Sequence, residues 1–169
     1  MKSESLQIKI KVSDTYKKFF GNKFVLPEYK TLGSSGLDLY FIEDLGTSFF
    51  AGKADVPNMT GLSSGEIKIC GTGIYISIPK GYEAQIRSRS GLAAKDGIFV
   101  LNSPGSIDSD FRGELKVILA NFSKQPWLLR VGDRIAQLVF AKVERIHWDL
   151  TEELDNTDRG IKGCGSTGV

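Results

Sequence analysis

Apolar residues in this chain recur at every second position, in short runs broken by turn-forming residues. Leu6, Ile8, Ile10 and Val12 alternate with Gln7, Lys9 and Lys11, the pattern of a half-buried strand. Ile74, Ile76 and Ile78 alternate with Tyr75 and Ser77 in the same way. Residues 115–122 and 134–143 are β-rich and follow the turn signals Arg112-Gly113 and Gly132-Asp133. Glycine, proline, aspartate and asparagine recur between the runs. This rhythm predicts an all-β sandwich or barrel-like jelly roll. Helical signal is confined to one short helix near 90–96, with Ser90 as its cap, and a second short one near 14–20.

Composition narrows the function classes. The 169 residues suit one domain, and 41% hydrophobic residues suffice for a core. One histidine, His147, leaves no multi-histidine metal site. Two cysteines, Cys70 and Cys164, are no disulfide framework and suit reduced thiols in an intracellular protein. With 22 basic against 20 acidic side chains, the charge does not predict nucleic-acid binding. No apolar run approaches the roughly 18 residues of a membrane span, and the N-terminus does not read as a signal peptide. Nineteen glycines exceed the usual share of about 7%, so the backbone must turn sharply or approach something closely in many places.

Two stretches lack any period. Residues 46–66 are rich in Gly, Ser, Asn and Pro and read as a long surface loop or an extended hairpin excursion. Residues 155–169 carry Gly160, Gly163, Gly165 and Gly168 among polar residues and are expected to form a mobile tail. In that tail Arg159 precedes Lys162, Gly163, Cys164, Gly165, Ser166 and Thr167. Backbone N–H groups freed by glycine, hydroxyl donors and a forked guanidinium suit a phosphate; the plainer reading is a linker. No Walker A spacing is present.

Three further groups carry chemistry. Arg89, Ser90 and Gly91 stand ahead of the helix at 90–96, as either an anion site or an ordinary cap with a surface arginine. Residues 102–114 hold Pro104 and Gly105, which force a hairpin-like turn. Asp108 follows Ile107 and precedes Phe111, so an aromatic wall beside it would suit a general base. Asp110 and Glu114 read as solvated strand-end charges. Asp38 lies between Leu37 and Leu39 and needs a partner: a backbone donor, an arginine or a metal-bound water. Gln137 opens a strand, where its amide would reach a phosphate or bond the sheet.

Taken together and in order, these segments resemble the trimeric-type dUTPase family. The resemblance covers residues 26–169 and rests on SGLDLY at 35–40, RSRSGLA at 87–93, NSPGSIDSDFRGE at 102–114, GDRIAQLV at 132–139 and DRGIKGCGSTG at 158–168. It implies a distorted jelly-roll β-barrel over 1–154, with 46–66 as an inserted loop, and an arm over 155–169 that closes on an active site. It implies hydrolysis of dUTP to dUMP and pyrophosphate by water attack at the α-phosphorus, with Mg2+ on the triphosphate. Asp108 matches the general base and Gln137 a glutamine near the attacking water. Arg89, Ser90 and Gly91 match the residues holding the phosphates. Asp38 matches the acid that reaches the metal through water. Asn102, Gly105 and Ile107 match the uracil hairpin, and Phe111 the ring beneath the deoxyribose. Arg159, Lys162, Gly163, Cys164, Gly165, Ser166 and Thr167 match the arm. The family also implies a homotrimer with shared active sites and a cytoplasmic setting, though nuclear and virus-infected-cell versions share the motifs.

The chain departs from the family pattern in places. Phe111 stands where tyrosine is usual and keeps the ring but not the hydroxyl. Cys164 stands where phenylalanine usually stacks on uracil. Stacking is worth about 1–3 kcal/mol, so arm closure is expected to weaken, while Lys162, in place of a glycine, offers a compensating cation. The 46–66 insertion, with Phe49 and Phe50, reads as a surface loop or as a partner-binding or trimer-edge element. Two other readings share the motifs: a nucleotide-sensing binding protein, and a dCTP deaminase. The second would need a glutamate near Ile118, where this chain is apolar.

Overall fold

The computed structural model describes residues 6–21, 25–47 and 59–162. Its strands are β1 (Lys9–Val12), β2 (Leu37–Tyr40), β3 (Glu43–Thr47), β4 (Met59–Leu62), β5 (Ile67–Ser77), β6 (Tyr82–Arg87), β7 (Ile98–Val100), β8 (Gly105–Ile107), β9 (Glu114–Asn121), β10 (Trp127–Arg130) and β11 (Arg134–Lys142). Two short helices join them, α1 (Asp14–Phe20) and α2 (Ser90–Asp96). The period-two runs become strands because alternate side chains face a shared core. Along β9, Leu115, Val117 and Leu119 are fully buried while Lys116 is exposed.

All strand pairs are antiparallel and fall into three sheets. The first runs β1-β5-β9-β7, with β3 also on β5. The second runs β2-β11-β6-β8, and a third pairs β10 with β4. Leu39, Ile86 and Leu138 from the second sheet join Ile74, Ile76, Leu115 and Val117 from the first in one core cluster. This is the expected all-β, jelly-roll type of fold.

Both helices stand where the sequence places them, with one correction. In α1, Ser13 is the cap, its Oγ accepting from the Tyr16 N–H at 3.1 Å. In α2 the cap position falls on Arg89, without a side-chain capping bond, and Ser90 is already inside the first turn. Ser90 therefore does not cap as expected. The helix ends instead on Gly97, whose φ of 67° is left-handed.

The stretch at 46–66 is not one loop. β3 runs to Thr47 and β4 begins at Met59, and among the described residues β3 pairs with β5 and β4 with β10. Phe49 and Phe50 lie outside the described residues. In β4, Thr60 and Leu62 are buried in alternation, a period too short to stand out among glycines and serines. No helix among the described residues is long and apolar enough to cross a membrane.

Candidate active site

The site is set by the register of the second sheet. On β11, Gln137 stands opposite Asp38 of β2 on one side and Arg87 of β6 on the other. Residues directly opposite in antiparallel strands project to the same face. Asp38, Gln137 and Arg87 thus form a row across three strands, and their neighbours Leu39, Leu138 and Ile86 point into the core.

A bulge extends this row. Arg134 pairs with Tyr40 and Ala136 with Leu39, so β11 carries one extra residue there. Residues three apart on a regular strand face opposite sides. The bulge re-phases the strand, and consecutive Ile135 and Ala136 are both buried. Arg134 and Gln137 therefore both serve the Asp38 side.

Asp38 is nearly buried and both its oxygens are engaged. Arg89 Nε lies 3.3 Å from Oδ1, and Arg134 Nη1 lies 3.1 Å from Oδ2. Of the partners left open by the sequence, the structure selects arginine, twice over. Arg89 also donates from Nη1 to the Arg134 carbonyl at 2.8 Å, which fixes its guanidinium across the start of β11. Gln137 donates from Nε2 to the Ser88 carbonyl at 2.9 Å, so its amide bonds the framework. Gly36 makes room for it: a Cβ there would stand 2.4 Å from Gln137 Oε1. Gly91 follows Ser90 in the first turn of α2.

The turn between β7 and β8, which crosses from the first sheet to the second, forms a second group. The Asn102 amide lies against Gly105, which is buried and pairs with Ile86. Ile107 packs partly on the core. Asp108 follows β8 at the other end of β6 and is exposed. It borders a cavity of about 330 Å3 with Glu83, Asp110 and Arg145. Ile107 pairs with Ala84, three residues along β6 from Arg87, a separation of about 10 Å. The Phe111 ring folds over Gly113, where a Cβ would meet ring Cζ at 2.5 Å. Arg112 holds this turn by donating to the Ser109 and Phe111 carbonyls at 2.7 and 2.6 Å. Glu114 is not a solvated strand-end charge either, since its Oε1 accepts from the Gly73 N–H at 2.7 Å.

The third group lies near the C-terminal end of the described residues. Arg159 and Lys162 are exposed, and Arg159 Nε donates to the Lys162 carbonyl at 3.3 Å. Gly163, Cys164, Gly165, Ser166 and Thr167 lie outside the described residues. The chain thus brings Asp38, Arg89 and Gln137 together, with Asp108 beyond the other end of β6. Residue-by-residue reading missed Arg134 and Ser88. Arg134 was legible only as part of GDRIAQLV, because its partnership depends on the bulge.

Metal binding can be judged from the donors. Among the described residues, no three His, Cys, Asp or Glu side chains converge on a metal position. Asp38 is a single carboxylate already facing two guanidinium groups, with one lone pair left on each oxygen. Mg2+ keeps its waters and is satisfied by one or two carboxylates plus substrate phosphates. The donor set fits a magnesium ion that arrives on phosphates, and not one caged by protein alone.

Fold and site together define an all-β jelly-roll protein with guanidinium groups gathered at one end of its second sheet. The dUTPase family model matches residues 22–168, and the chain belongs to the dUTPase family. It is 46% identical to a deoxyuridine 5'-triphosphate nucleotidohydrolase of Orientia tsutsugamushi (strain Ikeda), over 96% of this chain and 99% of that one. It is 47% identical to the enzyme of that name from Rickettsia bellii (strain OSU 85-389), over 96% of both chains. Among solved structures, a mutant dUTPase of Staphylococcus bacteriophage 80alpha with dUpNHpp superposes with a TM-score of 0.77 at 22% identity, covering 98% of this chain and all of that one. The dUTPase of S. aureus phage phi11, described with a structural Mg(II) ion, superposes at 0.68 and 19% identity, covering 89% and 99%. At that identity the likeness concerns the fold.

Proposed function

We propose that this chain hydrolyses dUTP to dUMP and pyrophosphate. The observation that carries the reading is the row of Asp38 and Gln137, with Arg89 ion-paired to Asp38, occupying three of the family's motif segments. Phosphoryl transfer asks mainly for positioning and charge stabilisation, and preset guanidinium groups supply both. Arg89, Ser90 and Gly91 would hold the phosphates, with Arg159, Lys162 and the arm at 155–169 closing over them. Asp108 would take the proton of the attacking water, which Gln137 helps to orient. Asn102, Gly105 and Ile107 would receive the uracil, and the Phe111 ring would exclude a ribose hydroxyl. Mg2+, when bound on the triphosphate, would neutralise charge on the phosphates, with Asp38 accepting from its waters.

The position of Asp108 beyond the far end of β6 from Arg87 supports a homotrimer whose sites are shared between chains. The segment leading to Arg159 exposes Trp148, Leu150 and Leu154 almost entirely and Ile146 in large part, which suits burial against another copy. The 46–66 stretch remains a candidate for a protein partner. A cytoplasmic setting belongs to the same reading. Ile118, half-buried in β9, offers no acid for deamination. With Mg2+, the protein is expected to release pyrophosphate from dUTP and not from dCTP. Ammonia from dCTP would overturn the reading, and tight binding of dUTP without turnover would replace it with a nucleotide sensor.

A further inference from the structure

Of the guanidinium groups at the Asp38 end of the second sheet, Arg89 and Arg134 share one carboxylate, that of Asp38. Arg87 differs from both. It is the last residue of β6, stands opposite Gln137 in the row, and is exposed. Among the described residues it has no carboxylate partner. It is nonetheless held in place. Its Nε and Nη2 donate to Gln85 Oε1 at 3.0 and 2.6 Å. Gln85 Nε2 in turn donates to Glu83 Oε1 at 2.6 Å, which fixes the end of the amide that faces Arg87. Glu83, Gln85 and Arg87 alternate with buried Ala84 and Ile86, so all three lie on the outward face of the strand.

We propose that Arg87 is a further phosphate-binding residue, and that Gln85 and Glu83 are positioning residues that hold its guanidinium ready beside Gln137. The proposal rests on the nucleotide reading given above and uses only the phosphate side of one chain. Its physical ground is charge. A triphosphate is multiply negative, and Asp38 works against it by cancelling one of the two charges that face it. Arg87 restores what Asp38 takes away. The neutral amide of Gln85 grips the guanidinium without cancelling its charge, as a carboxylate at the same place would. Nη1 is not used by Gln85 and is left to donate to an oxyanion above the row. A guanidinium fork already fixed in place gives up less freedom when it binds phosphate.

The test uses the full chain and the variants Arg87→Gln, Arg87→Lys and Gln85→Glu. Binding of an imido-bridged dUTP analogue with Mg2+ is measured at low and at physiological salt, beside dUTP turnover and melting temperatures. Because Arg87 is exposed, Arg87→Gln is expected to melt close to the wild-type protein. It is expected to weaken analogue binding about tenfold and to make binding less sensitive to salt, since one charge contact is gone. Arg87→Lys keeps the charge without the fork and should recover part of the loss, which keeps the test open should Arg87→Gln fold poorly. Gln85→Glu separates charge from position. It still grips Arg87 but pairs off its charge, so binding should weaken about threefold. A purely structural role for the ladder predicts no such loss. Unchanged analogue binding in Arg87→Gln overturns the proposal, as does an unchanged salt dependence, or Gln85→Glu binding as tightly as wild type. Wild-type protein that neither binds the analogue nor cleaves dUTP overturns the nucleotide reading and the proposal with it. Wild-type protein that cleaves dUTP, with Arg87 variants that bind the analogue equally well, overturns the proposal alone.

Discussion

Gly36 and Gln137 show how a missing side chain places a present one. Gln137 reaches the Ser88 carbonyl only because nothing projects from Gly36. In Gly36→Ala the new methyl would push the far end of a flexible side chain, which can rotate away, so the fold survives and the amide leaves its position. The expected outcome is a fall in kcat/KM for dUTP of about ten- to a hundredfold, with a melting temperature within about 3 °C of wild type. Steady-state assays and thermal melts on the same preparation check it. The same scale shows what the sequence conceals. Asp38 between two leucines announces a need for a partner. Which partner, and that there are two, depends on residues 51 and 96 positions further along the chain, Arg89 and Arg134. Glu114 looked solvated for the same reason: the Gly73 N–H it accepts from is 41 residues away.

At the scale of elements, the period-two runs announced β1, the end of β5, β9 and β11, and residues 14–20 and 90–96 announced the helices. The shorter strands escaped, β4 among them, whose four residues alternate Thr60 and Leu62 in a stretch rich in glycine and serine. The turn that joins it to β5 leads into a buried charged pair. Lys68 and Glu66 are almost fully buried, with Lys68 Nζ 3.8 Å from Glu66 Oε1 and donating to Thr60 Oγ1 at 2.8 Å. Glu66 Oε2 accepts from the Ser63 N–H at 2.6 Å and so ties the turn before β5. A buried pair adds little against an apolar substitute of the same shape, but removing one member strands the other. Lys68→Met is therefore expected to cost about 3–5 kcal/mol, read as a lower urea midpoint. A variant in which both charges become apolar should recover part of that loss.

The whole molecule depends on α1 as much as on its sheets. Tyr16 is fully buried, donates its hydroxyl to the Val25 carbonyl, and packs on Phe20 with ring centroids 4.6 Å apart. Burial, with a smaller contribution from nearby Tyr40, pushes its phenol up to about 12. An unfolded phenol ionises near 10, so between about pH 10 and 12 the folded chain keeps a proton that the unfolded chain has lost. Stability is then unaffected below pH 10 and falls as pH rises through that window, by up to about 2 kcal/mol. Tyr16→Phe should lose about 1 kcal/mol at pH 7 with the hydrogen bond, and should show a shallower alkaline decline in urea titrations from pH 7 to 11.5. The architecture itself was legible because burial imposes its period on the sequence. The convergence of the site was less so, since register and bulges leave no periodic trace. The bulge in β11 also sets a rule for chain length. Deleting Ile135 or Ala136 would make the ladder more regular, yet it would swing Arg134 toward the apolar interior and strip Asp38 of a partner. Length changes between strands leave facing untouched, but a change of a single residue here reverses the facing of Arg134 relative to Gln137.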